Sequence, residues 1–118
     1  MVVDSFASLY AQIPKTPVCN PNVDFSTLVS AFVPIKFYDY RPAKITLDNL
    51  TSNKVDILDL PFENKSIASI SCMHVIEHIG LGRYGDNIDP DGDIKAMQEL
   101  SRVLAKDGNL IFVVPIGK

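Results

Sequence analysis

Glycine does not occur in this 118-residue chain until position 80, and only six glycines are present in all. Before that point no glycine-rich loop can bring bare backbone against a ligand. Cysteine is scarcer still. Cys19 and Cys72 are the only two, too few for a disulfide framework, and they read as reduced thiols of a cytoplasmic protein. Basic charge is also short, with 11 Lys and Arg against 14 Asp and Glu, a net charge of -3 and a pI near 5.2. That balance argues against nucleic acid as the main partner, because phosphate binding needs clustered Lys and Arg. No apolar run approaches the ~18–20 residues of a membrane span. The N-terminus has no cationic segment ahead of an apolar stretch, so no secretory signal is expected. Repeats, low-complexity tracts and linkers are lacking too. What remains is a composition of 47% apolar and 21% charged residues, that of a soluble globular protein. Residues 1–118 are read as one domain, large enough for a single core but short for a complete doubly wound sheet.

The pattern along the chain alternates helix and strand. Asp4 caps a short helix to about Gln12, with Phe6, Leu9, Tyr10 and Ile13 on one face. Pro14, Pro17 and Pro21 punctuate a loop, and Asp24 caps a second helix over 25–32 that Pro34 closes. Strands are expected over 35–40, 54–58, 67–73 and 109–114. Asp91 and Asp93 cap a helix to about Ala105, whose Ile94, Met97, Leu100, Val103 and Leu104 form one apolar stripe. Gly108 suits the left-handed position after that helix. Strands apolar on both faces, alternating with helices, predict an α/β fold with a mainly parallel core of about four strands.

Chemistry concentrates in residues 71–86, which hold both histidines, an acid, a tyrosine, an arginine and three of the six glycines. His74-Val75-Ile76-Glu77-His78 matches H-x-x-E-H, the zinc helix of an inverted zincin. Two histidines four apart share a helix face, and the Glu would serve a zinc-bound water. Gly80 and Gly82 break that helix within about one turn, and no third ligand follows. Glu99 is the only later glutamate and is assigned to the polar side of its helix. A structural histidine pair is therefore preferred, and no metal is expected. Residues 87–98 imitate a calcium loop, with Gly92 at the sixth place. They start with Asn87, carry Pro90 in the middle and put Gln98 where a bidentate Glu should close the shell. An acidic turn that favours a helix dipole is the simpler reading.

A third reading uses more of the chain. Asp59-Leu60-Pro61-Phe62 ahead of the strand, then Glu77-His78-Ile79 after it, resembles class I S-adenosylmethionine-dependent methyltransferases. Lys106-Asp107-Gly108-Asn109-Leu110 resembles that superfamily's step into its fifth strand. More narrowly, 77–86 with 88–93 resembles domain-of-unknown-function family 268, a methyltransferase-like group. The resemblance covers 33–118. It implies a Rossmann-like three-layer sheet, mainly parallel, and S-adenosylmethionine as cofactor. Asp39 then matches the acid that holds the ribose hydroxyls, where ligands sit beyond strand carboxyl ends. Asp56 matches the acid facing the adenine amino group, with the Ile57 backbone N–H beside it, and Met73 also falls on the cofactor side. His74, Glu77 and His78 line the reacting side, each a candidate base, and Arg83 and Tyr84 fall on the substrate loop. Each acid keeps an ordinary alternative. Asp39 is also a good turn former before Pro42, and Asp56 or Asp59 a solvated acid.

The chain departs from that pattern where the cofactor loop should be. Residues 17–24 contain no glycine, and Pro21 offers no N–H. The sequence also stops after the fifth-strand equivalent, so the final antiparallel pair is expected to be missing. Two function classes follow. One is a methyltransferase acting on a small-molecule or glycan acceptor, degenerate or truncated in its cofactor loop. The other is a non-catalytic relative kept for binding or assembly. An open strand edge near the end also leads to the expectation of a homodimer.

Overall fold

The computed structural model describes residues 27–42, 44–83 and 85–117. The helix expected over 4–12, the loop at 17–24, Cys19 and Tyr84 lie outside the described residues, as does the start of the helix expected at 25. Residues 27–30 are helical and the chain turns before Pro34. Four strands follow: β1 (Ile35–Asp39), β2 (Leu50–Lys54), β3 (Ile67–Met73) and β4 (Leu104–Val113). A 3-10 turn over Ile76–His78 and a helix, α1 (Gly92–Val103), lie between β3 and β4. The chain is thus mixed α/β with parallel pairing. β1 pairs with β2 from Ile35↔Leu50 to Asp39↔Lys54, and β3 pairs with β4 up to Met73↔Val113. The expected single sheet is corrected in one respect: among the described residues the four strands form two parallel pairs, not one continuous ladder.

Burial follows strand chemistry. β1 alternates, burying Ile35, Phe37 and Asp39 and exposing Lys36 between them. β3 is buried on both faces in its second half, where Ile70, Ser71 and Cys72 are each no more than 2% exposed, as an apolar run of small residues requires. The strand expected over 54–58 lies four residues earlier. Asp56 ends the extension, because its carboxylate accepts the Leu58 N–H at 2.9 Å while its carbonyl accepts the Asp59 N–H at 3.1 Å. Val55 still donates to the Asp39 carbonyl at 3.0 Å, so the ladder runs one residue past β2.

Helix α1 buries Gly92, Ala96, Leu100 and Val103, with Met97 partly covered. Ile94, expected in the stripe, is 55% exposed. It lies two residues, or about 200° of rotation, from Gly92 and so points away from the buried line. The small Gly92 lets a loop pass close by: a Cβ there would stand 3.0 Å from the Gly80 Cα. At the other end, Asp107 rather than Gly108 takes the left-handed conformation, with φ 63°. Gly108 is required instead for space, since a Cβ would meet the Ala105 and Ala68 carbonyl oxygens at 2.9 and 3.1 Å. The ladder slips at this point, with Ile67 opposite Leu104 but Ser69 opposite Asn109.

Glu99 is not on a solvated face. Arg102 and Glu99 together clamp α1 to the Leu60-Pro61-Phe62 segment. The Arg102 guanidinium donates to both Glu99 oxygens at 2.7 and 2.8 Å, to the Leu60 carbonyl at 2.9 Å, and to the Phe62 carbonyl and Asn64 Oδ1 at 2.8 Å each. Glu99 Oε2 in turn accepts the Leu60 N–H at 3.0 Å. The bidentate guanidinium holds the Glu99 carboxyl below its ordinary range, and the Leu60 N–H adds to this.

Candidate functional site

The sequence-predicted residues fall at or just past the carboxyl ends of parallel strands. Asp39 is the last residue of β1, Asp56 follows β2 by two residues, and His74 follows β3 directly. That is where loops of an α/β sheet carry ligands.

The reacting group is built by the exit from β3. His74 donates its backbone N–H to the Val113 carbonyl at 2.9 Å, continuing the β3–β4 ladder, yet its φ is 54°. A left-handed conformation at a non-glycine residue stores strain, and such strain gathers at functional sites. Val75 and Ile76 then plug into the core, and the 3-10 turn they start carries Glu77 and His78. Glu77 Oε1 lies 3.3 Å from His74 Nδ1 and 3.9 Å from His78 Nε2. The structure thus brings His74, Glu77 and His78 together, but on a single tight turn instead of the helix face that H-x-x-E-H implies. Among the described residues no three His, Cys, Asp or Glu side chains are arranged to hold a metal ion.

The second carboxylate oxygen, Glu77 Oε2, is buried and has no hydrogen-bond partner. The Cys72 thiol of β3 is fully buried and pushed up to about 12, by burial first and by the Glu77 charge second. The sequence signalled neither the coupling of Cys72 to Glu77 nor its direction, because side-chain alternation alone does not say which loop folds back over a strand end.

The following loop closes on itself. Gly80 has φ 81°, and a Cβ there would stand 2.0 Å from the Asp89 carbonyl oxygen. Asp86 accepts the N–H groups of Gly80 at 3.0 Å and Gly82 at 3.4 Å, and Asp89 N–H donates to the Gly80 carbonyl at 2.9 Å. Leu81 and Ile88 bridge across this turn in antiparallel fashion. Asp89 then ends the calcium analogy: its carboxylate accepts the Asp91 N–H at 3.0 Å and holds the Lys95 ammonium. Asp91 stands at the helix N-cap without a side-chain capping bond, and Asp93 Oδ1 accepts the Ile94 N–H at 2.8 Å in the first turn. Arg83 is exposed on this loop.

On the other strand pair, Asp39 is only 2% exposed, and its Oδ1 accepts the Arg41 N–H at 2.8 Å. Burial raises its carboxyl to about 6, against the opposing pull of the Arg41 N–H and guanidinium. Asp56 is exposed and forms its own turn, Ile57 is buried in the core, and Met73 is half-buried at the end of β3. The local bonding of Asp39 is that of the turn-forming alternative, and Asp56, whose alternative is a solvated acid, is exposed. No helix among the described residues is long and apolar enough to cross a membrane.

No curated protein matches the chain. Residues 44–118 match the family described as Caenorhabditis protein of unknown function, DUF268. That span takes in β2, the His74–Glu77–His78 turn, the Gly80–Gly92 loop and the Arg102 clamp, and the chain belongs to this family.

Proposed function

We propose that the chain is a methyltransferase-type domain that takes S-adenosylmethionine at the carboxyl ends of its strands and directs the methyl group to a small-molecule or glycan acceptor. The observation that carries the proposal is Asp39. Burying an acid at the last residue of a parallel strand is costly unless donors compensate it, and the hydroxyls of a ribose diol beyond the strand's carboxyl end would add to the one that the Arg41 N–H supplies. The orphaned Glu77 Oε2 supports the same assignment, since a buried carboxylate oxygen without a partner favours a positively charged group nearby. The cofactor supplies an electrophilic methyl on a sulfonium. This chain's residues would hold the ribose at Asp39 and the adenine edge at Asp56 and the Ile57 N–H, with Met73 lining the same side. His74, Glu77 or His78 would take the proton that the acceptor loses, and Arg83 and Tyr84 would meet the acceptor. Most of the rate gain in such a transfer comes from alignment.

A non-catalytic relative that keeps the scaffold for binding or assembly is the second proposal. It is favoured by the Asp56 carboxylate, which is turned into its own loop, and by the glycine-free segment at 17–24. Equilibrium binding of S-adenosylmethionine, followed by release of S-adenosylhomocysteine with candidate acceptors, separates the two. Binding with turnover supports the first, binding without turnover supports the second as a binding domain, and no binding removes the first and leaves the second as an assembly domain.

A further inference from the structure

We infer that Glu77 is a positioning residue that fixes the His74 imidazole as the Nδ1–H tautomer, so that His74 Nε2 is the basic nitrogen the site presents. The consequence for proton transfer rests on the methyltransferase proposal; the tautomer itself rests on geometry alone. A neutral imidazole carries its proton on one nitrogen, and the hydrogen bond made by one nitrogen decides the state of the other. His74 Nδ1 faces Glu77 Oε1 at 3.3 Å, and an ionised carboxylate only accepts. The proton must then sit on Nδ1, leaving a lone pair on Nε2. His78 Nε2, at 3.9 Å from the same oxygen, is beyond hydrogen-bond reach, so Glu77 serves one ring and not both. The carboxylate is confined by its surroundings: its Oε2 is buried, and the turn carrying it is anchored by buried Val75 and Ile76. His74 is fixed as well, by its N–H bond to the Val113 carbonyl. Its side chain remains 49% exposed, against 24% for His78, so His74 is the ring a solute can reach. Of the three candidate bases, the arrangement selects His74, with Glu77 behind it.

The test is ring-nitrogen NMR on ¹⁵N-histidine-labelled, ligand-free protein at alkaline pH. With two histidines in the chain, His74→Asn assigns the signals. The expected result is a pyrrole-type Nδ1 and a pyridine-type Nε2 for His74. Glu77→Ala should shift that ring toward the Nε2–H form, and Glu77→Gln, which keeps a carbonyl acceptor, should retain Nδ1–H. A wild-type His74 in the Nε2–H form would overturn the inference, and this needs no variant to fold. So would an unchanged tautomer in a folded Glu77→Ala protein. A positive result with no S-adenosylmethionine binding would leave Glu77's positioning role intact while removing the methyl-transfer proposal.

Discussion

Asp39→Asn should make the protein more stable at neutral pH while impairing its site. An acid whose folded carboxyl titrates near 6 instead of its ordinary 3.8 binds its proton more tightly in the native state than when unfolded. Its favourable contribution is therefore complete below about pH 3.8 and is lost as pH rises through about 6. At 1.36 kcal/mol per pKa unit the full cost at neutral pH is about 3 kcal/mol, and solvent screening at the strand end reduces this to about 1.5–2.5 kcal/mol. Asparagine fills the same volume, carries no charge and still accepts the Arg41 N–H through Oδ1. The pull of the Arg41 guanidinium is already contained in that shift, so the net gain is about 1.5–2.5 kcal/mol, or about 6–10 °C in Tm for a chain of this size. Urea denaturation of both proteins at about pH 3.5, 5 and 7 is the assay. Between about pH 4 and 6.5 the stability difference should grow in favour of the variant, the other carboxylates acting alike in both proteins. A variant less stable than wild type at pH 7, or a difference independent of pH, would refute the reasoning.

Three further outcomes are expected. Arg102→Ala removes all five guanidinium hydrogen bonds to Glu99, Leu60, Phe62 and Asn64 and leaves a half-buried carboxylate behind. It should cost about 2–4 kcal/mol in chemical denaturation. Gly80→Ala combines a φ of 81° with a Cβ placed 2.0 Å from the Asp89 carbonyl, so the loop must rebuild; loss of the amide NMR pattern of residues 80–92 is the readout. Leu100→Ala, at a fully buried position on α1, should cost about 2–5 kcal/mol by the same denaturation assay.

The parts of the fold that were legible in the sequence are those governed by local pattern. The β3 span, 67–73, matches because a continuous apolar run of small residues suits only a doubly buried strand. β1 and α1 follow from period and punctuation. The misplaced second strand had a different cause. Val55 and Ile57 are buried as a strand would require, but Asp56 bonds its own backbone, and burial pattern does not distinguish a tight turn from extended chain over so few residues. Helical spacing of apolar residues places Ile94 in the stripe. The buried line is instead set by Gly92 and Ala96, whose small size admits the Gly80 loop, a tertiary constraint absent from α1's own sequence. The site was legible as a cluster, since His74, Glu77 and His78 are neighbours in the chain. Its chemistry was not. That one carboxylate oxygen faces His74 while the other is buried near Cys72 depends on the left-handed backbone at His74, which residue identity does not announce.

Whether the strand ends hold the cofactor is read by isothermal titration of the protein with S-adenosylmethionine, alongside Asp39→Ala and Asp56→Ala. Weak, saturable, one-site binding is expected, reduced about ten-fold or more in each variant by loss of a charge-assisted hydrogen bond of about 1.5–3 kcal/mol. Heats indistinguishable from dilution into buffer, or an affinity unchanged in both variants, would contradict it.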